Sequence, residues 1–325
     1  MRVLILGGTK FIGPSAARRL HERGCAVAVF HRGETEADLP PAIEHLHGDR
    51  HRLSAYTDEL RRLRPDVVLD MAAYTEDEAQ AAVEAFRGLA RRLVVVSSQD
   101  VYRAYGRFHG SEAGPLEPLP VAEDAPLRER LYPYRGKGMG LENYEKVLVE
   151  RAAVSAPDLP ATIIRLPATF GAGDPQRRLA PELKLMDGGR PEIAIDERLA
   201  RWRWTRAYVE NVAEAIALAV TDGRAAGRVY NAGDEDALSY AEWVRAIGRA
   251  AGWPGEVVTL PAERLPRALQ PPPGDYDQHL VADSTRIRRE LGYREPSRAN
   301  DAAFSAAVDE ISAASRRLLR SITRG

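Results

Sequence analysis

Apolar residues fall in short runs along the first half of the chain, each followed by a stretch of helical spacing. "RVLIL" (2–6) has the unbroken apolar core of a strand buried on both faces. "FIGPSAARRLHERG" (11–24) follows with helical spacing and stops at Gly24. "AVAVF" (26–30) reads as a second strand and "IEHLHGD" (43–49) as a short third. "PDVVLDMAA" (65–73), "RLVVVSS" (92–98) and "ATIIRLP" (161–167) read as the fourth, fifth and sixth. "RLSAYTDELRRL" (52–63) and "TEDEAQAAVEAF" (75–86) have helical spacing, the second with an N-cap Thr and a first-turn acid. Strand cores separated by helices predict an α/β fold, a doubly wound parallel sheet with helices on both faces and right-handed crossovers.

The pattern changes after residue 102. Residues 103–140 are rich in Gly, Pro and charge and show little periodicity, which predicts a long loop or lid. A helix is expected over about 141–154. Further helices are expected in 178–189, 209–223, 239–252, 284–293 and 302–319, with a strand in 228–233. "RWRWTR" (201–206) alternates Arg and Trp, as a strand with one cationic face would, and "PPPG" (271–274) is a stiff break.

Composition narrows the function classes. Over 325 residues the formal net charge is −1, so nothing draws the whole chain to nucleic acid or an anionic membrane. Cys25 is the only cysteine, which excludes an internal disulfide and argues against a cysteine-built metal site; no metal is expected. No run approaches the ~20 apolar residues of a membrane span. The N-terminal run suits a buried strand rather than a signal peptide, and the expected compartment is the cytoplasm.

Candidate chemistry begins in "LGGTKFIG" (6–13), between the first strand and the first helix. Gly7 and Gly13 occupy the first and third positions of a G-x-x-G-x-x-G turn, and Lys10 stands where the middle glycine belongs. A glycine turn at a helix N-terminus leaves backbone amides open to a pyrophosphate. The second strand ends "VFHRGETE", with His31 and Arg32 where an acid would hold the ribose 2′-hydroxyl of NAD. Three cations near one ribose, Lys10 included, favour NADP. The alternative leaves Lys10 in solvent and Arg32 flat on the adenine, with NAD acceptable.

These stretches resemble, in order, the motifs of the extended short-chain dehydrogenase/reductases of the NAD-dependent epimerase/dehydratase type, from residue 2 to about 293. "GGTKFIG" resembles T-G-x-x-G-F-I-G, and its particular form resembles a branch that includes the chloroplast stem-loop-binding proteins. "GDR" (48–50) resembles the turn whose acid meets adenine, and "DMAA" (70–73) the turn that passes the cofactor. "SSQDVY" (97–102) resembles S-[ST]-x-x-V-Y-G, and "RLPATFG" (165–171) resembles R-P-x-x-x-Y-G. The resemblance implies a Rossmann-type domain over 1–170 and a mainly substrate-binding lobe over 171–325, from which about 208–233 returns to the first sheet. It assigns cofactor contacts to Gly7, Thr9, Lys10, Phe11, Ile12, Gly13, His31, Arg32, Asp49, Arg50, Ala72, Ala73, Lys146 and Pro167. It places the active-site hydroxyl at Ser98, and substrate contacts at Gln99, Tyr134, Arg178 and Arg203. A family Arg grips a nucleotide-sugar diphosphate near Arg203, one register shift away; a solvated surface Arg is the other reading.

The catalytic helix departs from the family pattern. Y-x-x-x-K sets a phenol and a lysine one helical turn apart. In "GLENYEKVLVER" (140–151) Lys146 precedes Glu150 as the family lysine precedes its acid, but the residue four before it is Glu142. The nearest phenol is Tyr144, two residues away, which on a regular helix lies about 200° round. Tyr144 is then a packed core tyrosine, or an irregular helix entry after "RGKGMG" (135–140) brings it to the site. Tyr134 with Lys137 is a further pair. Asp100 stands where the family's dehydratases carry the second of two acids, and acts as a general acid or base, or caps a turn. The expected function is NAD(P)-dependent oxidoreduction of a sugar, nucleotide sugar or related hydroxyl or carbonyl compound. The rivals are a simple carbonyl reductase and a non-catalytic dinucleotide binder of RNA-binding or redox-sensing type. A homodimer is left open, and nucleic acid is not an expected partner.

Overall fold

The computed structural model describes residues 1–296, so the helix expected over 302–319 lies outside the described residues. In chain order the strands are β1 (Arg2–Leu6), β2 (Ala26–His31), β3 (Glu44–His47), β4 (Val67–Asp70), β5 (Arg92–Ser98), β6 (Ala161–Leu166), β7 (Ala168–Phe170), β8 (Glu192–Asp196), β9 (Arg206–Tyr208), β10 (Val229–Asn231) and β11 (Glu256–Leu260). The helices are α1 (Ile12–Glu22), α2 (Thr57–Leu63), α3 (Glu76–Phe86), α4 (Arg103–Phe108), α5 (Lys146–Ala153), α6 (Ala180–Asp187), α7 (Glu197–Arg201), α8 (Val209–Thr221), α9 (Tyr240–Ala250) and α10 (Thr285–Leu291).

Seven strands make one parallel sheet, ordered β10-β6-β5-β4-β1-β2-β3. The order reverses between β1 and β4, and a crevice opens there at the carboxyl ends of the strands, where such sheets bind ligands. Strand periodicity explains the unbroken apolar runs. Val3 and Ile5 face one core with α1 and α8, whereas Leu4 and Leu6 face the other with α3 and α5. Each large aliphatic side chain so buried contributes about 1.5–3 kcal/mol. α3 begins where expected, and a capping box fixes it: the Thr75 hydroxyl takes the Glu78 amide and Glu78 reaches back. A smaller lobe pairs β8 with β11, both parallel, beneath α6, α7 and α9.

Several expectations need correction. The 103–140 segment is not all loop, because α4 occupies its first turn and a half. The helix expected from 141 begins at Lys146, because the Glu145 carboxylate caps it by accepting the Val147 amide at 2.9 Å. Residues 141–144 stay outside the helix. "RWRWTR" is not one strand: α7 ends at Arg201, Arg203 and Trp204 form single bridges, and β9 starts at Arg206. The Trp/Arg alternation still sorts faces. Trp202 stacks on Phe108 at 4.7 Å, while Arg201 and Arg203 are exposed. The strands β7, β8 and β11 were not anticipated.

Candidate active site

The turn between β1 and α1 is built around missing side chains. Gly7 and Gly8 have φ of 83° and 92°, a region that glycine enters freely. A Cβ on Gly13 would lie 2.2 Å from the Gly8 Cα, so the start of α1 sits directly on the turn. A Cβ on Gly7 would meet the Cβ of Ala72 at 3.0 Å, across the crevice mouth from β1 to β4. The N-terminal amides of α1 therefore face a groove with little side chain in it, which fits a dinucleotide pyrophosphate. Lys10 is exposed, and Thr9 reaches Thr35 of the next loop at 3.2 Å between hydroxyls. Phe11 and Ile12 pack toward the small lobe's core.

At the end of β2 the three expected cations reduce to two. His31 is buried, and the Gly33 amide donates to its Nδ1 at 3.1 Å. The ring proton is thereby on Nε2, aimed at His45 Nδ1 2.9 Å away. Burial, with His47 and His45 adjacent, lowers the pKa of His31, so it is a neutral imidazole turned inward and not a cation at the ribose. His31, His45 and Glu36 gather ligand atoms within 4.8 Å, but the Nε2 proton joins the two rings to each other instead of offering two lone pairs to one ion. Arg32 remains, 59% exposed and paired with Glu34 at 2.9 Å. Asp49 accepts the His51 amide at 3.0 Å. Gly48 beside it packs tightly, since a Cβ there would strike the Phe30 ring at 2.3 Å.

Arg50, expected on the cofactor, is committed elsewhere. Its guanidinium grips Asp70 through two bonds of 2.7 and 3.0 Å and donates to the Glu78 carbonyl. Asp70 also accepts the Ala72 amide at 3.0 Å, so this pair props the loop carrying Ala72 and Ala73. The Ala73 carbonyl in turn accepts Lys146 Nζ at 2.6 Å, and the Val96 carbonyl accepts it at 2.8 Å. Lys146 is buried at the first turn of α5, and that burial lowers its pKa to about 8, against the pull of Asp70 and Asp100. Glu150, one turn on, pairs with Arg165 of β6 at 2.7 Å, which fixes the helix against the sheet.

Tyr144, Tyr134 and Asp100 meet here. Both phenols donate to Asp100 Oδ2 at 2.9 Å. Among the described residues Asp100 Oδ1 is buried without a hydrogen-bond partner, and burial raises the carboxyl's pKa, the Arg128 guanidinium opposing. Burial also raises the pKa of Tyr144 well above its usual value, and the adjacent Asp100 charge adds to this. Ser98 faces the same phenol and accepts the Asp100 amide at 3.2 Å. The 200° objection to Tyr144 does not apply, because it precedes the helix. Tyr74, not foreseen, is 47% exposed, with Lys146 Nζ 4.9 Å from its ring centre. The lid is tied down from below by Arg128, which pairs with Glu145 at 3.0 Å and donates to the Asp100 carbonyl at 2.5 Å.

Other expected substrate contacts lie apart. Gln99 is 1% exposed and turns its amide nitrogen to the Ala232 carbonyl at 2.8 Å. Pro167, expected on the cofactor, is buried between β6 and β7. Arg203 faces solvent; the buried Arg of this stretch is Arg206, three residues later, 4.4 Å from the Trp243 ring centre. Burial lowers the Arg206 pKa to about 10. Arg178 pairs with Asp174 at 2.8 Å. Among the described residues no helix is long and apolar enough to cross a membrane.

The model of the NAD dependent epimerase/dehydratase family matches residues 3–233, and that of an uncharacterized conserved protein, DUF2277, matches 265–325. The chain is 27% identical to a 2′-dehydrokanamycin reductase of Streptomyces kanamyceticus over 88% of this chain and 75% of that one. The resemblance to the chloroplast branch is narrower: 32% identity to a chloroplast stem-loop binding protein of 41 kDa from Arabidopsis thaliana over 31% of this chain and 30% of that one. In fold it is similar to the UDP-glucose-4-epimerase of Stenotrophomonas maltophila with bound NAD, at a TM-score of 0.72 and 20% identity over 98% of this chain and 99% of that one.

Proposed function

We propose a function for this chain on one premise: it belongs to the NAD dependent epimerase/dehydratase family. Its reaction is the interconversion of a carbinol and a carbonyl on a sugar-like substrate, with NADP as the cofactor. The observation that carries this reading is the convergence of Asp100, from the end of β5, with Tyr144 and Lys146, from the entry to α5, at the crevice end. The reductase relative, 27% identical over most of the chain, supports the same chemistry.

Gly7, Gly8, Gly13 and the α1 amides would hold the cofactor's pyrophosphate, Asp49 its adenine, and Lys146 a ribose hydroxyl. When bound, the nicotinamide exchanges hydride with the substrate carbon. Two of the Lys146 protons are spoken for by Ala73 and Val96 carbonyls, which leaves one to donate. Tyr144 cannot be a resting phenolate, since its pKa is raised. The hydrogen bond to Asp100 supplies another route. As a substrate hydroxyl gives its proton to the Tyr144 oxygen, Tyr144 passes its own to Asp100 Oδ2. In reduction the same protons move in reverse, and no free phenolate forms. Ser98 shares the substrate oxygen. Asp100 thus takes the place of a lysine one turn from the phenol.

NADP over NAD rests on Arg32 and Lys10, both exposed near the end of β2, with no acid at the strand end itself. Mixing the protein with NADP or NAD and a panel of sugars, sugar acids and nucleotide sugars, and following cofactor absorbance, tests both points. Turnover with NADP is expected. Cofactor binding without turnover on any hydroxyl or carbonyl compound would leave a dinucleotide binder.

A further inference from the structure

We propose that the cavity beside Asp100 is a subsite for an anionic group, so that the substrate is a sugar-like molecule bearing a carboxylate or a phosphate. This rests on the oxidoreductase reading and adds the substrate class to it. The cavity encloses about 480 Å³, within the range of small-molecule sites. It runs from Asp100 and Tyr134 between two walls, residues 105–111 at the end of α4 and residues 128–137 of the lid.

Charge along this cavity is one-sided. Among the described residues Asp100 is the only acid that lines it, against Arg128, Arg130, Arg135 and Lys137. Arg128 is spent on Glu145 and on two backbone carbonyls. Arg130, Arg135 and Lys137 form no ion pair among the described residues. Arg135 lies flat on the Tyr132 ring at 3.7 Å and donates to the Glu142 carbonyl, which anchors it at the rim. Two nearby acids, Glu112 and Glu142, are turned to backbone, while Glu129 is exposed. Glu112 accepts the amides of residues 129 and 130, and Glu142 accepts that of Gly136. A cleft walled by one sign of charge concentrates the opposite sign, and each charged hydrogen bond formed there is stronger than a neutral one.

Asp100 at the inner end gives the cavity a direction. When ionised it repels a second anion, so the anionic group goes to Arg130 and Lys137 while a neutral hydroxyl faces Asp100 and Tyr134, the phenol that shares Asp100 Oδ2 with Tyr144. A cationic amino sugar meets like charge at the rim. The site therefore selects a molecule with its charge at one end and its reacting carbinol at the other.

Calorimetric titration of the NADP-loaded protein at low salt tests this, with glucose, glucosamine, glucuronate and glucose 6-phosphate as probes. At least one anionic sugar is expected to bind about tenfold or more tightly than glucose, the scale of one hydrogen bond to a charged group, and glucosamine more weakly than glucose. Tighter glucuronate identifies a carboxylate site, and tighter glucose 6-phosphate a phosphate site. The Arg130→Gln/Lys137→Gln double variant should lose the preference while NADP affinity stays unchanged. The proposal is overturned if no probe binds, if glucose binds as tightly as both anionic sugars, or if the double variant keeps the preference. Anion preference without turnover on any substrate would instead defeat the oxidoreductase reading alone.

Discussion

At the β2–β3 edge of the crevice Arg32 and Glu34 pair at 2.9 Å with more than half of each side chain in water. At the β5–α5 edge Arg128 and Glu145 pair at 3.0 Å with 2% and 1% exposed. The first pair is screened and replaceable, worth little by itself. The second sits in low dielectric, where a charge without its partner is costly. Glu145 also caps α5 and accepts the Tyr132 amide, so one carboxylate sets both the helix start and the lid. On the proposed reading, the exposed pair makes the cofactor end adjustable and the buried pair makes the proton-handling end all-or-nothing.

Asp100→Asn attacks the buried end directly. It keeps the shape but removes the proton acceptor, and turnover should fall about 10²–10⁴-fold in steady-state kinetics, the usual worth of a general acid or base. The pH profile sharpens the point. Oxidation needs Asp100 ionised and Lys146 charged. Activity should therefore rise through a carboxyl pKa held above the ordinary range by burial, and fall as pH passes about 8, where Lys146 loses its proton. In Asp100→Asn the acid limb should vanish. An unchanged acid limb would remove Asp100 from the mechanism.

Arg128→Met breaks the buried pair and leaves Glu145 alone. It should cost about 3–5 kcal/mol in chemical denaturation. A loss below about 1 kcal/mol would show the lid anchor to be no stronger than a surface pair. Arg32→Gln, at the exposed end, should weaken NADP by only about 1 kcal/mol and leave NAD nearly unchanged in calorimetry, a charged hydrogen bond reduced by solvent. Equal losses for both cofactors would take Arg32 off the 2′-phosphate.

The same contrast decides what was legible in the sequence. The central sheet could be read because most of its strands are apolar runs separated by helical stretches, and local pattern and tertiary burial agree there; β3, "EHLH", is the exception. The strands β7, β8 and β11 were missed because they lie outside the alternation of strand and helix that marks the central sheet. Tyr144 and Lys146 could be named as candidates, but what unites them depends on Asp100 and Glu145, and through Glu145 on Arg128. Arg128 lies 17 residues from its partner in a segment without period. The helix start was placed too early because the Glu145 cap, not helix propensity, determines it. His31 was misjudged because its charge depends on the Gly33 amide and on His45, a contact between strands that its own neighbours in sequence do not reveal. Which of Arg203 and Arg206 is buried could not be read, because the alternation of the stretch does not say.

The central claim is that a phenol outside the usual helical spacing hands its proton to a buried carboxylate. The most direct measurement is the turnover of Tyr144→Phe with NADP and a sugar substrate, alongside its cofactor affinity. The account predicts a loss of about 10²–10⁴-fold in turnover with cofactor affinity and thermal stability close to the parent's. A fully active Tyr144→Phe would contradict it and return Tyr144 to the role of a packed ring.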